Sequence, residues 1–301
     1  MSQHQRSILM LLITMTIWGS TFVVTKGVID EFPPFTLAFV RVAIGALVLL
    51  PFALARSRAA GRTPLPWKSI VAMGLLGVAL YYALFNYSLR YTSASQGALV
   101  QSCIPAMTAM VAVVWLRERA STQRWFGIVL SIAGVMLVFS NVPDSGASAA
   151  LLGNTLMFLT VVCWGAYTSI AKRSAQGPDP VIVTTGIAAV GAILLLPLAC
   201  MEIGSQGMPH ASARAWLAVI YLGVGASGLA YLLYNSALQH MDASEVGAYT
   251  NLIPIVGVIL GIVVLHEPVS ARAIAGGVVV LVGVWLTGRR EAGGVAVGDA
   301  G

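Results

Sequence analysis

The sequence predicts an all-α polytopic membrane protein, with ten transmembrane helices arranged as two inverted five-helix repeats. Three observations carry this. Asp, Glu, Lys and Arg make up only 9% of the 301 residues, where a soluble domain carries about 25%. Hydrophobic residues reach 58% and the mean hydropathy is +0.86. The two halves of the chain also repeat one another in register. So few charges cannot cover a water-soluble fold of this size, which excludes an aqueous globular enzyme.

A bilayer core of about 30 Å takes about 20 helical residues per crossing. Ten apolar stretches of about that length can be read along the chain. The first five are 8–27, 35–55, 69–89, 96–116 and 125–139. The second five are 153–170, 181–201, 214–237, 246–265 and 274–288. They are apolar all round rather than striped, and membrane strands would alternate. Turn-forming residues punctuate them at Pro33-Pro34 and at 61–66, 141–146, 177–180 and 204–209. The first stretch reads as a retained helix rather than a signal peptide, because no small-residue cleavage pattern follows it and more spans come after. Ten crossings consume about 200 residues, which leaves no room for a soluble catalytic domain.

The net charge of +6 reflects topology and is not a nucleic-acid footprint. With the N-terminus inside, the inner segments hold Arg6; Arg56, Arg58, Arg62 and Lys68; Arg117, Arg119 and Arg124; Lys172 and Arg173; Arg289 and Arg290. These twelve stand against Lys26, Arg90, Arg214 and Arg272 outside, with Arg41 inside a span. The positive-inside rule then places both termini in the cytoplasm, and the expected location is a bacterial-type inner membrane. Cys103, Cys163 and Cys200 all fall in apolar spans, with no CxxC and no His at ligand spacing. They read as buried packing, with no disulfide, metal site or cofactor expected.

Self-similarity sets the architecture. A shift of 146 brings Trp18-Gly19 onto Trp164-Gly165, Lys26 onto Lys172, Pro34 onto Pro180, Gly45 onto Gly191 and Leu50-Pro51 onto Leu196-Pro197. Further along the shift is 149. It brings Tyr82 onto Tyr231, Asn86 onto Asn235, Ala94-Ser95 onto Ala243-Ser244 and Ile104-Pro105 onto Ile253-Pro254. The same shift pairs Glu118 with Glu267, Gly127 with Gly276 and Gly134 with Gly283. The step of three fits an insertion between the second and third helices of the later copy. Five spans is an odd number, so the second copy enters the membrane from the opposite side. The copies are then related by a pseudo-two-fold axis in the membrane plane. Two near-equivalent halves can pack in two near-equivalent ways, which predicts alternating access. The expected division is a cytoplasmic tail at 1–7, repeat 1 at 8–140, an extracytoplasmic linker at 141–152, repeat 2 at 153–288 and a cytoplasmic tail at 289–301.

Each half resembles the EamA-type repeat of the drug/metabolite transporter superfamily. The resemblance rests on Trp18-Gly19 in the first helix, Ala94-Ser95 opening the fourth and Pro105 within it. Leu116-Arg117-Glu118 ending that helix, Gly127 and Gly134 in the fifth, and the partners in the second half complete it. It covers residues 8–288, and the ten-helix aromatic amino-acid exporters of the YddG type look closest. The resemblance implies a helical bundle with a central cavity between the halves.

Mid-span polar and aromatic groups are costly against lipid and so face a cavity or the bundle interior. Thr14, Trp18, Thr21 and Thr25 share one face of the first helix, and Thr160, Trp164 and Tyr167 repeat it in the sixth. Tyr82 and Asn86 lie one turn apart in the third helix, and Tyr231 and Asn235 copy them in the eighth. Tyr81 and Tyr234 lie near these faces. Gln101 precedes Pro105 by four residues and Thr250 precedes Pro254 by four, with Ser102 and Asn251 beside them. The candidate substrate-binding set is therefore Trp18, Thr21, Tyr82, Asn86, Gln101, Trp164, Tyr231, Asn235, Thr250 and Asn251. Trp18 lies about 15 Å deep at the helical rise, too deep for an interfacial belt, so it lines a cavity or packs between helices. Asn86 and Asn235 either bind substrate or staple helices together. Pro105 and Pro254 read as hinges, each freeing a carbonyl one turn earlier. The Gly257-x-x-x-Gly261 pair reads as close helix packing. Arg41 has Ile187 as its repeat partner. It snorkels, pairs with Asp30 or Glu31, or grips a substrate carboxylate. Glu118 and Glu267, which end their helices, read as interfacial structural groups rather than proton carriers.

Absences narrow the substrate. An exporter of organic cations needs a deep carboxylate, and no Asp or Glu lies centrally in any span. A phosphate or nucleotide-sugar exchanger needs several buried Lys or Arg, and Arg41 is the sole candidate. What remains is a neutral or zwitterionic solute with apolar or aromatic bulk, such as an aromatic amino acid, exported down its gradient. The competing readings are a lipid or glycolipid flippase and a drug exporter of the same superfamily. An intramembrane enzyme is disfavoured, since His4, His210, His240 and His266 lie outside spans or at their ends. The expected partners are the small-molecule substrate and the bilayer, with no nucleic acid. The oligomeric state is left open, and a monomer is compatible with it.

Overall fold

The computed structural model describes residues 2–59, 65–115, 121–140, 147–174, 179–241, 246 and 249–288. All regular structure among them is helical. The helices are α1 (Gln3–Lys26), α2 (Pro34–Ala59), α3 (Trp67–Ser88), α4 (Ala94–Trp115) and α5 (Thr122–Phe139), then α6 (Ala147–Ser174), α7 (Pro180–Gln206), α8 (Ala213–Leu238), α9 (Leu252–Leu265) and α10 (Ala271–Gly288). Eight of these described helices are long and apolar enough to cross a membrane, and α9 and α10 are shorter apolar helices. Large apolar side chains such as Leu47, Ile193, Leu217 and Val263 stand exposed on the outside of the bundle. Lipid is the medium in which such a surface is stable. The chain is a multi-pass membrane protein.

Helix ends follow caps rather than the limits of apolarity. Ser2 accepts from the Gln5 amide, and the Gln5 side chain returns the bond in a capping box. Ser93, Ser121 and Ser212 cap α4, α5 and α8 with the serine bond alone. Asp179 accepts from the Val181 amide, and Pro180 occupies the first turn of α7, where no N–H is needed. Most helices therefore run past the apolar stretches that announce them. The sixth starts at Ala147 instead of 153, so 147–152 belong to α6 rather than to a linker. Of the sequence landmarks, the turns at 61–64, 141–146 and 177–178, the Leu116-Arg117-Glu118 and Ala243-Ser244 motifs, and the tail at 289–301 lie outside the described residues.

Two helices are interrupted where the prolines predict. In α4 the helix stops at Gln101 and resumes at Ile104, because Pro105 has no N–H for the Gln101 carbonyl. In the second half Thr250 and Asn251 form the turn ahead of α9, four and three residues before Pro254. The structure adds a second pair of irregularities that no residue type announces. Leu75–Leu80 of α3 and Leu222–Leu229 of α8 are π-helical, at equivalent places in the two halves.

The pseudo-two-fold axis is visible in the packing. A Cβ on Gly127 would stand 2.6 Å from the Gly283 carbonyl oxygen, and one on Gly283 would stand 2.6 Å from that of Gly127. Gly134 and Gly276 repeat this reciprocity at 2.8 Å. Between them Ser131 donates to the Val280 carbonyl at 3.3 Å, and these two residues are themselves repeat mates. The axis therefore runs through the α5–α10 crossing. The same exchange brings Gly45 of α2 against the Gly223 carbonyl and Gly191 of α7 against that of Gly74. Gly257 packs on Ala98, the close approach its spacing predicts.

At one end of the bundle, charged groups close helix termini. The Glu267 carboxylate accepts from the Ala94 and Ser95 amides, both at 2.8 Å, and Lys26 donates to the Leu89 and Thr92 carbonyls. Glu202, buried within α7, accepts from the Thr36 amide at 2.7 Å and from its hydroxyl at 2.9 Å. Glu31 accepts from the Ser212 amide and hydroxyl. At the opposite end Arg56 pairs with Asp179 at 3.1 Å. Of the cysteines, Cys103 is buried, Cys163 half-buried and Cys200 exposed on the outer face of α7. The expectation of three buried cysteines therefore holds only for the first, because lipid accepts a thiol as readily as the bundle interior does.

Gly134→Val should lower the melting temperature of the detergent-solubilised protein, since overpacking costs about 1–3 kcal/mol even where neighbours are side chains and here the nearest two atoms are backbone. Gly204→Ala, with open space around it, is expected to leave melting unchanged. The Ser212 hydrogen bonds hold the Glu31 carboxyl below its ordinary value. That contribution is complete above the ordinary carboxylate value and is lost as pH falls through the depressed one. The protection of the Ser212 amide against hydrogen exchange, relative to its intrinsic rate at each pH, should fall on acidification, and Glu31→Gln should remove this pH dependence.

Candidate functional site

The sequence places one Trp near the middle of the first helix of each half, and the fold brings the two together. Trp18 and Trp164 meet edge-to-face with ring centroids 5.0 Å apart, 4.8 Å separate Trp164 from Tyr167, and Tyr234 lies 5.1 Å from Trp18. The repeat mates Tyr82 and Tyr231 face each other at 6.4 Å, and Tyr81 lies 5.4 Å from Trp164. Mates that touch one another lie on or near the two-fold axis. The aromatic cluster is thus the centre of the molecule, and both halves build it. Such ring pairs favour the tilted and edge-on geometries seen here.

Around these rings lies a narrow cavity. Its wall includes Trp18, Thr21, Arg41, Tyr82, Gln101, Trp164 and Tyr231. Six residues of the sequence-derived set therefore converge here, with Arg41 beside them. Trp18 and Trp164 line the cavity and also pack between helices, so the two readings of these residues hold together. The rings divide the space so finely that a water-sized guest fits and an aromatic amino acid does not.

Each polar group of the wall has a defined job. The Gln101 amide donates to Thr160 at 3.0 Å and to the Tyr81 hydroxyl at 2.9 Å, joining the two halves at the break in α4. Thr21 turns its hydroxyl back onto the Trp18 carbonyl. Trp18 Nε1 donates to the Ala226 carbonyl at 3.1 Å, and the Tyr231 hydroxyl donates to the Gly77 carbonyl at 2.8 Å. Gly77 and Ala226 are repeat mates, one on each π-helical segment. The two equivalent carbonyls are thus taken by non-equivalent donors.

Arg41 departs from the interfacial expectation. Its side chain is fully buried in α2 and does not snorkel. The guanidinium carbon lies 4.2 Å over the Tyr82 ring, and Nε donates to the Ser227 hydroxyl at 3.3 Å. No pairing with Asp30 or Glu31 forms, and Glu31 is engaged by Ser212 instead. Nη1 and Nη2 have no hydrogen-bond partner among the described residues.

Four residues of the sequence-derived set lie off this cavity. Asn86 Nδ2 donates to the Pro34 carbonyl at 3.0 Å, stapling α3 to the start of α2. Asn235 accepts from Tyr167 and donates to Thr184, and it borders a second, separate cavity with Met73 and Gln239. Thr250 is buried in the turn ahead of α9 and Asn251 is half-buried there, and Ile253 rather than either of them reaches the wall. Pro105 and Pro254 shape the backbone behind the wall without lining it. The apolar wall residues Phe22, Phe85 and Ile104 have no signal in the sequence that separates them from ordinary core. Among the described residues no group of His, Cys, Asp and Glu is arranged to hold a metal ion. Glu267 acts as a helix cap, in line with a structural role, and Glu118 lies outside the described residues.

Comparison with known proteins agrees with this architecture. The EamA-like transporter family model matches residues 5–140 and 151–289, one match per half. An uncharacterized transporter of Archaeoglobus fulgidus is 27% identical over 96% of this chain and 99% of its own. The uncharacterized transporter YcxC of Bacillus subtilis is 31% identical over 71% of each chain. A solved crystal structure at 20% identity superposes with a TM-score of 0.65 over 95% of this chain and 99% of its own, which speaks for the fold alone. With two family-matched halves that meet through their own mates, the chain belongs to the EamA-like transporter family of the drug/metabolite transporter superfamily.

Proposed function

We propose that this transporter exports neutral amino acids, aromatic ones above all, and similar small metabolites across a bacterial-type inner membrane. Both termini lie in the cytoplasm, and repeat 1 (8–140) and repeat 2, which opens with α6, rock about the central cavity to give alternating access, with Pro105 and Pro254 as hinges. The observation that carries this reading is the aromatic cluster in which Trp18 and Trp164, contributed by opposite halves, meet at 5.0 Å. Any rocking of the halves must part these rings and open the space between them. The opened surface would offer ring faces, the Gln101 amide and the Thr160 hydroxyl, which suit a small solute with aromatic bulk.

The unequal use of two equivalent carbonyls supports alternating access. Inverting the halves would hand the Gly77 carbonyl to Trp164 and the Ala226 carbonyl to Tyr82. The same kinds of donor would be used in the other state, so neither state leaves a carbonyl unmet. Transport runs down the concentration gradient, since Glu267 is committed to two backbone amides and no acidic group faces the cavity among the described residues.

Purified protein in liposomes should show saturable flux of labelled phenylalanine and tyrosine, with less of threonine and none of a cationic dye. Preference for the dye would reverse the substrate class. Trp164→Ala should raise the half-saturating phenylalanine concentration by about threefold to tenfold, the value of one aromatic contact, while unchanged kinetics would remove Trp164 from the site. Flux should persist without an imposed pH difference, and Glu267→Gln, which keeps an acceptor for one of the two amides, should retain most of it. Loss of flux on either change would show proton coupling instead.

A further inference from the structure

Arg41 holds the one charge on the wall of the central cavity among the described residues. The cavity lies deep within the bundle, and the guanidinium offers it a planar fork of N–H donors. Its Cζ rests on Tyr82 and its Nε on Ser227, which fixes the plane of the group. Both terminal nitrogens are buried without a protein partner among the described residues. An unmet buried ionic donor is expensive, and two such nitrogens side by side match the two oxygens of one carboxylate. The described acids are engaged elsewhere or lie at the bundle ends. Glu202 holds Thr36, Glu31 holds Ser212, Glu267 caps α4, Asp179 pairs with Arg56, and Asp30 lies exposed at the end of α1.

The charge of the wall is therefore one-sided, with a cation for a carboxylate and, among the described residues, no anion for an ammonium. Taking the central cavity as the transport site, as above, we infer that Arg41 grips the substrate carboxylate and that the amino group is dispensable. The substrate class is then aromatic or bulky apolar monocarboxylates, of which amino acids are the aminated members. An ammonium group in this site meets only ring faces and neutral oxygens while sharing the cavity with a like charge.

The test compares four probes of one shape: phenylalanine, 3-phenylpropionate, phenethylamine and phenylalaninamide. Binding is read by quenching of tryptophan fluorescence in detergent, and transport by competition with labelled phenylalanine in liposomes. The expected result is that 3-phenylpropionate binds at least as well as phenylalanine, with the amine and the amide weaker by about tenfold or more, as losing a charge-assisted hydrogen-bond pair implies. Arg41→Gln should erase that preference. Arg41→Lys, which keeps the charge but loses the fork, should retain part of it, and melting curves for both variants establish that they fold. Equal binding of phenethylamine and phenylalanine, or a preference unchanged in Arg41→Gln, would overturn the inference while leaving amino-acid transport standing. Arg41-dependent binding of 3-phenylpropionate without phenylalanine flux would sustain the inference and defeat the amino-acid reading. Failure of all four probes to bind would defeat both.

Discussion

Inside a bilayer no water meets a stray backbone group, so each departure from regular helix must be satisfied by the protein itself. That constraint organises this molecule. The departures come in pairs, one per half: the breaks before Pro105 and Pro254, and the π-helical segments of α3 and α8. All lie close to the aromatic cluster. The Trp18 indole and the Tyr231 hydroxyl, which line the central cavity, also satisfy carbonyls of the π segments. Residues of the cavity wall thus hold the backbone irregularities together, so movement at one entails movement at the other.

A similar economy governs the bundle ends. Glu202 and Glu267 are placed where helix N-termini offer unbonded amides, and Lys26 where a helix C-terminus offers carbonyls. In low dielectric these are favourable places for charge, since each ion meets a dipole end and hydrogen bonds at once. The few acids of the described chain are largely spent on closing helices, which is why the central cavity is left without one.

The ten apolar stretches and the offset between halves are plain in the sequence, because lipid enforces length and apolarity and because duplication preserves register. The offset alone pairs Trp18 with Trp164, Tyr82 with Tyr231 and Ser131 with Val280, and in space each of these pairs meets or faces its mate. The site was legible less completely, for a geometric reason. Face arguments fix the side of a helix a residue lies on and say nothing of how far along the axis a cavity reaches. Tyr82 and Asn86 share a face one turn apart in α3; the first reaches the cavity and the second, a turn nearer the helix end, bonds the Pro34 carbonyl. Asn235 lies one turn beyond Tyr231 in α8 and bonds Tyr167 and Thr184 instead. Spacing along the chain carries no mark of where the cavity ends. Glu202 escaped notice because it lies just past the apolar stretch of its helix, although the helix itself continues to Gln206.

Arg41 is where the two halves differ most, for its counterpart is Ile187. Under the proposed alternating access, near-symmetry gives two inverted arrangements of similar energy, and one unmatched cation makes them electrically distinct. If α2 shifts within the membrane field as the halves rock, the resting potential acts on the empty carrier, by at most about 2.3 kcal/mol per charge for each 100 mV crossed in full. On the carboxylate reading proposed above, a bound monocarboxylate cancels that charge and makes the loaded passage electrically silent, whereas a zwitterionic amino acid leaves the charge in place.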